Sequence, residues 1–177
     1  MRSHYRIIAR VEKTHGRRGE VVTVPVHGLP SLVRPGLEVA LVPPALRGSR
    51  WRTVTSVSSD NRVGSLVSLS GVAALGEAED LVGTYLLARV DDLPEDLPLH
   101  DRERLVGRVV RDVESGRAGT IEEVMTGPAN DVWVIRDADS EVLVPVIDEV
   151  VSSVPESGEI SISIPRGLDW RRGVSRS

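Results

Sequence analysis

The chain has 177 residues, 40% hydrophobic and 27% charged, which excludes wholesale disorder and leaves room for one medium domain or two small ones. No apolar run approaches the roughly 20 residues of a membrane span, the N-terminus lacks a signal-peptide core, and the absence of cysteine excludes disulfides and thiolate chemistry, so a soluble cytoplasmic protein is expected. The net charge of −4 is split unevenly: residues 1–72 hold 11 basic and 4 acidic side chains, residues 73–177 hold 11 and 22. Either the acidic half merely aids solubility, or the chain meets two partners, one polyanionic and one basic.

With no Phe, and only Tyr5, Trp51, Tyr85, Trp133 and Trp170 as aromatics, Val, Leu and Ile must fill the core. Abundant valine with 16 Gly and 11 Pro reads as strands separated by turns. Residues 5–11 form the first predicted strand and 20–26 the second, with Val22, Val24 and Val26 alternating; the glycine-bearing loop 14–19 closes them into a hairpin. Strands follow at 38–42, 51–57 and 65–69, with a mobile loop expected over 43–50. Ala74, Leu75, Ala78, Leu81 and Val82 fall near helical spacing, so a short helix is predicted over 73–82, ended by Gly83, before a sixth strand at 84–90.

Acids and prolines without periodicity in Asp91-Asp92-Leu93-Pro94-Glu95-Asp96-Leu97-Pro98 mark a domain boundary. The predicted organisation is a barrel over 1–92, a linker over 93–101, a second domain over 102–170 and a fraying basic tail over 171–177. Within the second domain, strands are predicted at 105–113, 119–124, 132–136, 142–146 and 159–164, which suggests a second small barrel. The fold class is therefore all-β, with two small barrels.

No nucleophile elbow, phosphate loop or zinc-binding helix motif is present. His4, His15, His27 and His100 stand singly, and Asp137-Ala138-Asp139-Ser140-Glu141 lacks the glycine of a calcium loop, so a polar hairpin turn is expected there and neither metal nor cofactor is. Three segments are informative. In His15-Gly16-Arg17-Arg18-Gly19-Glu20, two glycines permit positive φ and adjacent arginines suit phosphate oxygens, although a tight turn with solvated arginines fits too. In Gly127-Pro128-Ala129-Asn130-Asp131-Val132-Trp133, turn chemistry precedes a tryptophan that is either core or an exposed anchor for a protein partner. Pro145, within the apolar run 142–147, implies an edge or bulge to which another chain could dock. His15, Gly16, Arg17, Arg18 and Gly19 are thus candidate RNA- or ribosome-binding residues; Asn130, Asp131, Trp133 and Pro145 are candidate partner-binding residues.

These loops resemble the bacterial ribosome maturation factor RimM family. Its His-Gly-x-x-Gly-Glu element is matched by His15 to Glu20. Its PRC-barrel elements are matched in order by Leu105-Val106-Gly107, Gly119-Thr120-Ile121, Gly127 to Val134 with Pro128 inserted, Val144-Pro145-Val146-Ile147 and Pro165-Arg166-Gly167-Leu168. Where many members carry a Tyr-Tyr pair before the Leu-Ile-Gly-like element, this chain reads Leu99-His100-Asp101-Arg102-Glu103-Arg104. The resemblance implies a translation-factor-like barrel followed by a PRC barrel, and a monomeric, non-enzymatic assembly factor. Its implied partners are a small-subunit head protein of the uS19 family, immature 30S particles and 16S rRNA. The alternatives are a PRC-barrel interaction module outside the ribosome and an RNA-processing enzyme.

Overall fold

The computed structural model describes residues 4–43, 49–62 and 64–172. The chain divides into two compact units, Met1–Pro94 and Glu95–Ser177. Of the loop expected over 43–50, residues 44–48 lie outside the described residues.

Unit 1 is a closed barrel of β1 (Tyr5–His15), β2 (Glu20–Pro25), β3 (Glu38–Val42), β4 (Trp51–Ser59), β5 (Ser65–Leu69) and β6 (Tyr85–Arg89), hydrogen-bonded in the order β1-β2-β5-β4-β3-β6. β1 bridges two neighbours, and its register shifts between Ile7 and Ala9 against β6 and between Val11 and Lys13 against β2. Such bulges increase local twist, which lets one strand close the sheet on itself. Ile8, Val11, Val21, Val39, Leu41, Val54, Val67 and Leu86 are all buried. β2 departs from the alternation read from the sequence: Val21 and Thr23 are buried along with Val22, while Val24 and Val26 are only half-buried. No aromatic side chain enters this core.

The helix predicted over 73–82 is only α1 (Leu75–Glu79). Its N-cap Ala74 is extended, and the carboxylate of Glu77 accepts the amide of Ala73 at 2.8 Å. The apolar spacing still works: Ala78 and Leu81 are buried, but Leu81 is delivered by a turn that closes when the Thr84 amide donates to its carbonyl at 3.0 Å.

Unit 2 begins where a linker was expected. Residues 97–105 fold as two helical turns, α2 (Leu97–His100) and α3 (Arg102–Leu105). Pro98 lies in the first turn of α2, where a missing N–H costs nothing. Leu97 and Leu105 are buried, and Leu99 packs against the unit 2 core, so apolar burial overrides the acidic, proline-rich composition. The strand predicted over 105–113 is correspondingly shortened to β7 (Val109–Asp112).

The sheet continues with β8 (Ala118–Met125), β9 (Val132–Arg136), β10 (Ser140–Pro145), β11 (Ile160–Ile162) and β12 (Arg171–Arg172), in the order β11-β7-β8-β9-β10-β12. β11 is parallel to β7; the other pairs are antiparallel. Of the tail expected to fray, Arg171 and Arg172 pair with Glu141 and Ser140, and residues 173–177 lie outside the described residues. The core is Trp133, Leu105, Ile121, Ile135, Val144, Ile160 and Ile162, each at most 2% exposed.

Asp112 is a buried carboxylate that ties this unit together. It accepts the amides of Ser115 at 3.1 Å and Ile164 at 3.1 Å, and the hydroxyl of Ser115. Burial opposes its charge, but the bonds from Ser115 and Ile164 outweigh that and hold the carboxyl below its ordinary range.

Candidate binding surfaces

β1 and β2 meet in a hairpin whose last strand pair is His15 with Glu20. Gly16 and Gly19 both take positive φ, 63° and 85°. For Gly19 a second constraint applies: a Cβ would lie 2.6 Å from the carbonyl oxygen of Val72, so the hairpin is seated against the turn leading to α1. A Cβ on Gly16 would meet nothing. This seating leaves His15, Gly16, Arg17 and Arg18 exposed at the tip. Among the described residues neither arginine has a carboxylate partner, so both guanidinium forks are free to meet an anion. The structure thus gathers His15 to Gly19 as one rigidly based, positively charged tip.

In unit 2 the loop joining β8 to β9 is compact: a Cβ on Gly127 would lie 2.4 Å from the carbonyl oxygen of Asn130. Asn130 is exposed. Asp131 is mostly covered and its carboxylate lies 2.7 Å from His100 Nδ1, while Asp96 lies 3.6 Å from His100 Nε2. The loop is therefore clamped to α2. The amide of Val146 donates to the Asp131 carbonyl at 2.8 Å, which brings Pro145 beside Asp131. Pro145 closes β10 opposite Val132, beyond the two residues that pair with β12, so its missing N–H leaves no ladder bond unmade.

Trp133 does not join this surface. It is fully buried in the unit 2 core, and the reading of it as an exposed anchor is corrected by the register of β9, which turns Trp133 and Ile135 inward. Its indole Nε1 has no hydrogen-bond partner among the described residues. Asn130, Asp131 and Pro145 remain together at the surface without it. His100 gave no signal in the sequence: its place between Asp96 and Asp131 is legible only once α2 and the β8–β9 loop are known to touch.

Asp137 to Ser140 form the polar turn between β9 and β10. Asp137 accepts the amides of Asp139 at 3.1 Å and Ser140 at 2.9 Å. Arg117, 2.6 Å away, holds the Asp137 carboxyl below its ordinary range. Nearby, Val106 and Val109, each 43% exposed, border an open concavity with Thr120, Glu122 and Arg136. By unit, residues 1–94 carry 12 basic and 9 acidic side chains, and residues 95–177 carry 10 and 17. Among the described residues there is no cluster of three or more metal-ligating side chains, and no helix long and apolar enough to cross a membrane.

Residues 102–168 match the RimM PRC barrel domain. The chain is 34% identical over 167 residues to the ribosome maturation factor RimM of Geobacter metallireducens, covering 92% of this chain and 94% of that protein. It is 30% identical over 166 residues to the RimM of Shouchella clausii, covering 92% and 95%. A crystal structure of a RimM protein of Pseudomonas aeruginosa superposes with a TM-score of 0.41 at 20% identity, covering 92% of this chain and 98% of that one.

Proposed function

The chain belongs to the RimM family of ribosome maturation factors, and from that premise we propose that it is a non-enzymatic assembly factor for the head of the small ribosomal subunit. The observation that carries the reading is the kinship over 92% of the chain with a protein named for ribosome maturation. Charge supports the division of labour. The excess of acids in residues 95–177 suits a small basic head protein of the uS19 family, and the basic hairpin tip of residues 15–19 suits 16S rRNA in an immature 30S particle.

Such a factor needs no covalent chemistry. It acts by binding the immature arrangement more tightly than the mature one, which shifts the assembly ensemble; mature contacts then compete it away. The surface of Asn130, Asp131 and Pro145 and the apolar concavity beside Val106 and Val109 are the docking area for the ribosomal protein. The protein works as a monomer in the cytoplasm.

The test is calorimetric titration of the full chain with a purified uS19-family protein at two salt concentrations, alongside sedimentation with immature 30S particles. Saturable binding that weakens with salt, with co-sedimentation, is the expected result. Absence of both would favour a PRC-barrel module acting outside the ribosome.

A further inference from the structure

All three aromatic side chains of unit 1 lie outside its barrel. The core is aliphatic, so Tyr5, Trp51 and Tyr85 contribute nothing to it. Strand register puts them on one continuous face across β1, β6, β3 and β4. Residues directly opposite in an antiparallel ladder project from the same face, and here the rows are Tyr5 with Arg89, then Ile7 with Leu87, Ala40 and Trp51, then Arg10 with Tyr85 and Val42.

The rings are partly solvated, and those of Tyr5 and Trp51 are near one another. Tyr5 is 47% exposed, Tyr85 36%, and the Tyr5 and Trp51 centroids are 5.9 Å apart. Between them runs a groove floored by Ala40 and Leu87 and edged by Val42 and Arg50. The guanidinium of Arg89 lies 4.2 Å from the Trp51 ring centroid and is fixed there by Glu38 at 2.7 Å, with Asp92 at 3.8 Å. Among the described residues Arg10 and Arg50 have no carboxylate partner, so the face carries cations at its two borders.

Flat, sequence-tolerant π surfaces bordered by unpaired guanidinium groups match unstacked nucleobases joined by phosphates. A peptide added as an extra strand would need an open strand edge, and a closed barrel has none.

We propose that this outer face is a binding platform for single-stranded RNA: bases stack on Tyr5, Trp51 and Tyr85, and Arg10 and Arg50 take the phosphates. The proposal rests on the placing of RNA at unit 1 under the proposed function, but it uses residues distinct from the hairpin tip.

The test is fluorescence anisotropy of the full chain with a labelled decauridylate RNA. Trp51→Ala should weaken binding about tenfold, as loss of one stacked base does. Tyr5→Ala combined with Tyr85→Ala, which also touches no core position, should weaken it comparably. Arg50→Glu should weaken binding and flatten its salt dependence. Bound RNA should quench tryptophan emission in the native chain and not in Trp51→Ala. Arg17→Glu with Arg18→Glu should weaken decauridylate binding less than Trp51→Ala does. Thermal melts confirm that each variant is folded.

The platform is refuted if the decauridylate does not bind, or if binding survives both aromatic variants, or if only the hairpin variant abolishes it. Decauridylate binding through Trp51 with no sedimentation on immature particles would instead sink the ribosomal reading and leave the platform standing.

Discussion

Replacing Trp133 with alanine separates a core role from a docking role. Trp133 is fully buried among Ile121, Ile135 and Val144. Truncating a buried tryptophan costs about 3–5 kcal/mol, because transfer free energy is lost and a cavity remains. Unit 2 has roughly 80 residues, and a unit of that size has about 4–12 kcal/mol of stability in total. At about 4–8 °C per kcal/mol, its melting transition should fall by more than about 12 °C, and in a marginal background the unit should be unfolded at 37 °C. The buried, unpartnered Nε1 sharpens the prediction. An unsatisfied buried donor costs about 1–3 kcal/mol in the native chain, so Trp133→Phe removes that penalty while retaining an aromatic ring and should fall well below the cost of alanine. Differential scanning calorimetry with near-ultraviolet circular dichroism measures both. A Trp133→Ala protein that melts within two or three degrees of the native chain, yet loses its ribosomal-protein partner, would refute the burial argument and restore the exposed anchor.

Asp112→Asn should destabilise unit 2 by about 2–4 kcal/mol, since an amide nitrogen would face donors that now meet a carboxylate. The Asp112 carboxyl sits below its ordinary range when folded, so its stabilisation is complete above the unfolded value near 3.9 and is lost as pH falls through the lower folded value. Urea titrations should show a steeper acid loss in the native chain than in Asp112→Asn. Gly19→Ala should destabilise unit 1 by about 1–3 kcal/mol, because a Cβ meets the Val72 carbonyl at a positive φ; an unchanged melt would mean the hairpin is not seated there. Arg17→Glu with Arg18→Glu should leave stability unchanged and weaken association with immature 30S particles, lowering the salt slope by about one per arginine. Unchanged association would remove the hairpin tip from the site.

The kinship, the basic tip and the strand pattern were legible because each rests on local signals. Runs of valine mark the strands in the chain itself, and His15 to Glu20 carries its turn chemistry in six consecutive letters. The inward face of β2 was not legible: Val21 and Thr23 are buried, while Val24 and Val26 of the alternating set are only half-buried. The candidate partner surface was half legible. Turn residues announced Asn130 and Asp131, but period-two alternation could not say which face of β9 was the inner one, and Trp133 went to the core. The segment 93–101 differs from the expected linker because acids and prolines describe a solvated stretch, while Leu97 is buried and Leu99 packs against the unit 2 core, which only tertiary contact supplies.

By itself, the sequence determined that the chain is built from short valine-rich strands, that its charge divides between front and back, and that its tightest turns fall at glycines; these follow from local propensity and counting. Only the tertiary structure decided that Tyr5, Trp51 and Tyr85, up to 80 positions apart, share one outer face, that His100 meets Asp131, and that Asp112 binds the amide of Ile164. Strand order and register set those meetings, and both depend on which distant segments pair to close a sheet, information that no local window of the chain contains.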